Sequence, residues 1–213
     1  TYITRMIRTN IERCVCLLEA CRETQLKAMV NVSSSSEYGE NSDRPAETAK
    51  VVPNSEYAVT KVAATQWCRY FANKYHVYVP TLRLYSVYGP YEAPSRLMPR
   101  LLKRAQVGQW PPLVNPDVAR DFVYVDDVCD ALMKVTRRKS QDWGPIYNLG
   151  TGKQILLKQV VNLVRKILKV KREPLWSTMP DRPWDMKVWR ANTEKIHRDY
   201  GWKSKYTLTD GLQ

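Results

Sequence analysis

The sequence predicts an α/β fold built on a parallel sheet, with a smaller C-terminal α/β part. Helical and strand patterns alternate along the first half of the chain, which is the order that parallel winding produces. Hydroxyl-bearing and glycine residues gather where predicted strands end, the edge at which parallel sheets take ligands. At 213 residues and 44% apolar content, the chain is long enough to bury a sizeable core.

Apolar residues at Met6, Ile7, Ile11, Val15, Leu17, Leu18 and Ala20 give residues 5–23 the period of an amphipathic helix. Ala28 to Ser33 reads as a buried strand that ends in hydroxyls, and residues 39–54 as a loop rich in Gly, Ser, Asp, Pro and Asn. A second helix spans residues 55–75, with Ala63, Ala64, Trp67, Cys68, Phe71 and Ala72 expected on its inner side. Val77 to Tyr85 is a strand with Pro80 near its start. Beyond Gly89-Pro90 come a short helix at 97–105, a proline-rich link at Trp110-Pro111-Pro112, and Ala119 to Val128 leading into a helix. A strand at Ile146–Gly150 and a helix at 157–168 complete the regular pattern. The expected division places residues 1–90 in one part and most of 91–213 in a second, with some segments of the latter returning to the first.

Composition narrows the functional classes. No run of about 18 or more apolar residues is present, and residues 1–6 lack the apolar core of a signal peptide, so a soluble, cytoplasmic protein without a membrane partner is expected. The five cysteines form no Cys-x-x-Cys pair, and only two histidines occur, so neither a metal site nor a histidine-based triad is expected. A net charge of +13 favours anionic partners. That charge is spread along the chain and no nucleic-acid motif accompanies it, which ranks nucleic acid below a nucleotide ligand.

Two short segments carry chemistry. Ser33-Ser34-Ser35-Ser36 closes the first predicted strand, and Tyr57-Ala58-Val59-Thr60-Lys61 opens the following helix. Residues four apart share a helix face, so the Tyr57 phenol and the Lys61 ammonium are expected side by side. A phenol near pKa 10 is idle at neutral pH, but a cation beside it favours the phenolate, and a serine can share the hydrogen bond to a substrate alcohol. Tyr-x-x-x-Lys arises by chance in a chain with 13 tyrosines. Its position after a serine-ended strand gives it weight.

These segments, with Asn10-Ile11, Leu17-Leu18-Glu19-Ala20, Leu82 to Pro90, Arg120 to Val128, Tyr147 to Gly152 and Gly201-Trp202, resemble in order the extended short-chain dehydrogenase/reductases of the NAD-dependent epimerase/dehydratase family acting on nucleotide sugars. The resemblance implies a partial Rossmann-like sheet, a bound NAD with NADP not excluded, a nucleotide-diphosphate sugar as substrate, and a homodimer formed through residues 5–23 and 55–75. It implies that Ser34, Tyr57 and Lys61 are catalytic, with Tyr57 as base and Lys61 as the group that lowers its pKa. Asn10, Ser33, Tyr57, Lys61 and Tyr85 would contact the cofactor. Ser34, Ser35, Ser86, Leu97, Met98, Arg120, Arg182 and Asp185 would contact the substrate, with arginine forks on the diphosphate. Without the resemblance, Arg120 reads equally well as the partner of Asp121 or Asp126, and Arg182 as a solvated loop charge.

Departures from the family pattern sharpen the expectation. Ser35 and Ser36 stand where dehydratases carry Asp-Glu, which disfavours elimination of water. Ser86 stands where many members carry asparagine, and Arg13 where a glycine is usual. None of the eight glycines forms a G-x-G-x-x-G turn, so the sequence reads as the rear two-thirds of such an enzyme, with little activity expected alone. The implied reaction is epimerisation through a transient keto sugar. A net reduction of 4-keto-6-deoxy sugar nucleotides and a cofactor-free nucleotide- or RNA-binding protein are the alternatives.

Overall fold

The computed structural model describes residues 1–40, 43–180 and 187–212. The chain opens with helix α1 (Tyr2–Ile7), a π-helical turn (Arg8–Glu12) and α2 (Arg13–Arg22), which run on as one continuous helical stretch. Strand β1 (Asn31–Ser34) passes directly into a 3-10 turn (Ser35–Tyr38), and α3 (Glu56–Tyr75) follows the loop. Ser55 caps α3, its side chain accepting from the Ala58 amide at 3.2 Å. Next come β2 (Thr81–Leu84), β3 (Ser86–Tyr88), α4 (Leu97–Gln106), β4 (Ala119–Arg120), β5 (Phe122–Tyr124), α5 (Val125–Val135), β6 (Ile146–Leu149), β7 (Ile155–Leu156), α6 (Leu157–Leu168) and α7 (Glu194–Tyr200).

Strands β1, β2 and β6 form a parallel sheet with β2 in the centre, β3 pairs parallel with β5, and β4 pairs antiparallel with β7. Strand β6, although distant in sequence, thus returns to the first sheet. The strand expected over 77–85 is divided. Pro80 cannot donate to a ladder, and at Tyr85 the chain changes sheets: the Tyr85 amide donates to Leu149 at 2.9 Å, whereas the Ser86 amide donates to Asp121 at 2.9 Å.

The two faces of the central sheet differ. Leu82, Tyr147 and Leu149 point to one side, where Val128, Ala131 and Val135 of α5, Ile196 of α7 and Trp202 cover them. On the other side, Ser33, Arg83 and Asn148 lie on a single rung across the three strands. This buried polar face packs against α3 and the 3-10 turn. Glu37, fully buried, accepts from Arg83 Nε at 2.9 Å, from Thr65 Oγ1 at 2.7 Å and from Ser33. Arg83 lies over the Tyr38 ring at 4.6 Å, and the Tyr38 hydroxyl donates to Asn148 Oδ1 at 2.7 Å.

Farther along α3, Cys68, Phe71 and Ala72 pack with Leu18 and Val79. Trp67, expected on the inner side, is instead 45% exposed, because the inward stripe passes through residues 64, 68, 71 and 72. A third core joins Met98, Leu101 and Ala105 of α4 to Val160, Val161 and Val164 of α6. Gly39 is required where the serine turn ends: its φ is +56°, and a Cβ there would lie 1.7 Å from the Val52 carbonyl oxygen.

Removing one partner of a buried pair leaves a charge without compensation, at a cost of about 3–5 kcal/mol. Arg83→Met is therefore expected to lower the urea midpoint sharply, and Glu37→Gln combined with Arg83→Met to recover more than half of that loss. Equal destabilisation of the single and double variants, followed by circular dichroism, would count against a compensated pair.

Candidate active site

A cleft of about 690 Å³ opens at the carboxyl ends of β1 and β2. Its volume is within the usual range for a small-molecule site. Of the residues the sequence singled out, Ser34, Ser35, Tyr57, Tyr85, Ser86, Leu97, Met98 and Arg120 line it. Asn10, Ser33 and Lys61 are not on its wall. Arg182 and Asp185 lie outside the described residues.

The serine turn assigns different work to adjacent hydroxyls. Side chains alternate along β1, so Ser33 and Ser34 face opposite sides. Ser33 is buried beneath the sheet, where it donates to Glu37 and lies 3.3 Å from Thr65 Oγ1, whose proton also goes to Glu37, and it is therefore spoken for by the core. Ser34 Oγ accepts from the Ser36 amide at 3.2 Å and from the Ser36 hydroxyl at 2.9 Å. Its own proton is then free for the cleft, and Ser34 acts to lower the Tyr57 pKa.

Burial raises the pKa of Tyr57 above the ordinary phenol value, opposed by the Ser34 hydrogen bond and the positive charge of Arg96. That direction is opposite to the lowering expected from Lys61. Lys61 Nζ donates to the Val32 carbonyl at 2.6 Å, and burial lowers its own pKa. An ammonium has three protons, so that bond leaves two for other acceptors. Asn10 Nδ2 donates to Thr60 Oγ1 at 2.9 Å, which ties the π-helical turn to α3 one residue before Lys61.

Beside Arg120 in the chain, Asp121 is buried and accepts from the Thr151 amide at 2.7 Å, the Gly152 amide at 2.8 Å and the Ala191 amide at 2.9 Å. Burial still pushes its carboxyl above the usual range. Gly150 lets the turn approach, since a Cβ there would lie 2.7 Å from Asp121 Oδ2. Asp121 is thereby committed to this turn. Arg120, its neighbour, faces the cleft with its guanidinium 5.9 Å from the Trp189 ring centroid.

Several wall residues were not anticipated. Trp189 donates from Nε1 to Ser35 Oγ at 3.2 Å. Arg96, at the start of α4, pairs with Glu92 at 3.4 Å, and the second Glu92 oxygen is buried without a hydrogen-bond partner among the described residues. Burial raises the Glu92 carboxyl. Arg100 also reaches the wall. For Arg96 and Arg100 a signal was available: both begin the helix that follows Gly89-Pro90 at a strand's carboxyl end. Trp189 lies in an irregular segment and had none. Among the described residues no cluster of ligating side chains suits a metal ion, and no helix is long and apolar enough to cross a membrane.

Residues 1–150 match the model of the NAD dependent epimerase/dehydratase family. A UDP-glucuronate 4-epimerase of Arabidopsis thaliana is 31% identical over 97% of this chain and 51% of its own length. A trifunctional UDP-glucose 4,6-dehydratase, 3,5-epimerase and reductase from the same plant is 27% identical over 97% of this chain and 31% of its own length. Among solved structures, UDP-glucuronic acid 4-epimerase from Bacillus cereus, in complex with UDP-glucuronic acid and NAD, superposes with a TM-score of 0.88 at 27% identity, covering 97% of this chain and 65% of that one. UDP-glucose 4-epimerase from Thermotoga maritima, with UDP-glucose, gives 0.89 at 27% identity, covering 99% and 69%. The chain therefore spans less than the full length of these relatives. Its parallel sheet, the hydroxyl turn beside Tyr57 and the match over residues 1–150 lead to one conclusion: the chain belongs to the NAD-dependent epimerase/dehydratase family.

Proposed function

We propose that the chain binds a nucleoside-diphosphate sugar, with UDP-hexoses as the first candidates, and carries the acid/base half of an NAD-dependent epimerisation. The observation that supports this most directly is the convergence of Ser34, Tyr57 and Arg120 on one cleft at the carboxyl edge of a parallel sheet. The printed activities of the relatives point the same way.

In this reading the sugar lies between the serine turn and Trp189, with its diphosphate toward Arg120. Arg182 and Asp185 remain proposed contacts for the nucleotide. Tyr57 Oη takes the proton of a ring hydroxyl and later returns it. The Ser36 hydroxyl donates to Ser34, and Ser34 acts to lower the Tyr57 pKa, a direction that favours the phenolate. Arg96 adds positive charge, and Lys61 supplies its remaining N–H groups once a cofactor ribose is present. With Ser35 and Ser36 in place of a carboxylic acid pair, and Glu37 buried against Arg83 off the cleft wall, the turn presents no acid to expel water from the sugar.

Tyr57 and Lys61 suit the ribose side of NAD, and Tyr85 the side nearer the substrate. No glycine-rich phosphate turn is present in these 213 residues to hold its diphosphate. When bound, NAD takes up and returns the hydride; the chain orients the sugar and moves the hydroxyl proton.

General-base catalysis contributes about 10²–10⁴-fold, so with NAD supplied Tyr57→Phe is expected to lower turnover by that factor and leave UDP-glucose affinity within about threefold. Arg120→Ala removes a charge-assisted bond of about 1.5–3 kcal/mol and is expected to weaken UDP-glucose binding by about 10- to 100-fold in calorimetric titration. Failure of the wild-type chain to bind UDP-glucose would overturn the reading. Stoichiometric consumption of reduced cofactor would replace epimerisation by reduction.

The homodimer is proposed on the outer faces of α2 and α3, where Leu17, Val59, Trp67 and Tyr70 are exposed. Val59, Trp67 and Tyr70 follow helical spacing and form one apolar stripe. Sedimentation equilibrium is expected to show a dimer that Trp67→Asp converts to monomer. A monomeric wild-type chain would refute this assembly.

A further inference from the structure

Two thiols meet where α2 packs on α3. The Cys14 and Cys68 sulfurs lie 3.6 Å apart, although the residues are 54 positions apart in the chain. Cys68 is fully buried and Cys14 half-buried, in a cluster with Leu18, Phe71, Ala72 and Val79. On α3 the contact is about two helical turns beyond Lys61, and on the N-terminal helical stretch about one turn beyond Asn10. The remaining cysteines are placed differently. Cys21 meets a thioether, Met29 Sδ, at 3.6 Å, and Cys16 and Cys129 are exposed.

From this geometry we propose that Cys14 and Cys68 form an oxidative modification site, at which a hydroperoxide oxidises Cys14 and Cys68 then closes a disulfide between α2 and α3. The site needs neither a sugar nucleotide nor NAD. The Cys14 thiolate attacks the peroxide: an S–O bond forms, the O–O bond breaks, and the departing oxygen takes a proton from solvent. Cys68 then attacks the sulfenic sulfur; an S–S bond forms, the S–O bond breaks, and the hydroxyl leaves as water with the Cys68 proton. Two thiols lose two electrons, and the peroxide is reduced to water and an alcohol, or to water alone from hydrogen peroxide. Exposure decides the order, because peroxide from solvent reaches the half-buried sulfur first. Acidity agrees with it. The hydrogen bond with Cys68 lowers the Cys14 thiol to about 7, opposed by burial and aided by the charge of Lys61. The same hydrogen bond and burial raise Cys68. A disulfide holds its sulfurs at about 2.0 Å, so the side chains must swing together by about 1.5 Å.

The test treats the full chain, first reduced with dithiothreitol and then freed of it, with a stoichiometric amount of hydrogen peroxide. Remaining thiols are alkylated, and unreduced peptides are mapped by mass spectrometry. The expected product joins the Cys14 peptide to the Cys68 peptide, leaves Cys16, Cys21 and Cys129 alkylated, and reverts on addition of dithiothreitol. In Cys68→Ala the reaction is expected to stop at the Cys14 sulfenic acid, captured by dimedone. In Cys14→Ser no cross-link is expected, and Cys68 is recovered as a thiol. Circular dichroism checks that each variant keeps native helix content. If Cys68→Ala does not fold, the wild-type map and the Cys14→Ser arm decide.

A cross-link through Cys16, Cys21 or Cys129 in place of this pair would overturn the proposal. So would Cys14 carried on to the sulfinic acid while Cys68 stays a free thiol, because the second sulfur would then not resolve the first. Dimedone capture at Cys68 in Cys14→Ser, as fast as wild-type oxidation, would overturn the order of attack. None of these readouts involves a ligand, so a chain that binds no UDP-glucose leaves the thiol pair standing, and a pair that fails to close leaves the sugar-nucleotide reading standing.

Discussion

The buried carboxylate of Glu37 is the constraint on which the site depends. It lies under the rung formed by Ser33, Arg83 and Asn148, so one acidic group is tied to every strand of the central sheet through Arg83, Tyr38 and the loop at Pro45 and Glu47. Taking two charges out of water costs several kcal/mol per ion, and a well-packed apolar pair could be as stable. What the ionic version adds is position. Glu37 also binds Thr65 and Ser33, so the start of the serine turn, the body of α3 and the end of β2 are fixed relative to one another. Tyr57 is at the N-terminal end of that helix, and its distance from Ser34 is set by this network.

A second buried acid, Asp121, does for the chain beside Arg120 what Glu37 does for the serine turn. It gathers amide protons from Thr151, Gly152 and Ala191, segments that otherwise have no regular structure to hold them. The two acids differ in compensation. Glu37 meets a guanidinium with matching geometry, whereas among the described residues Asp121 meets hydroxyl and amide dipoles, and burial raises its carboxyl. The cleft carries Arg96, Arg100 and Arg120 against Glu56 and Glu92, an excess of positive charge on the side where a diphosphate would lie.

How much of this was legible in sequence depended on whether the signal was local. The helices at 56–75, 97–106 and 157–168 were readable because apolar period and flanking turns are written in adjacent residues. The change of sheet at Tyr85 was not, since it is decided by Leu149 and Asp121, residues remote in the chain. Trp189 was missed for the same reason: its location follows from hydrogen bonds made by Arg190 and Ala191 to distant acids. Ser33 is a different case. Strand alternation already forbids Ser33 and Ser34 from facing the same side, so the separation of a core hydroxyl from a cleft hydroxyl could have been drawn from the period alone.

That separation extends through the whole turn. Four consecutive serines look redundant, yet the hydrogen-bond directions make each one distinct. Ser33 gives its proton to a carboxylate beneath the sheet and is lost to chemistry. Ser36 donates to Ser34, which leaves the Ser34 proton for the cleft, where Ser34 acts to lower the Tyr57 pKa. Ser35 accepts from Trp189. Identity of side chain therefore says little about role along this turn. Role is set by which neighbour has already taken the lone pair, and those neighbours are fixed by the two buried acids.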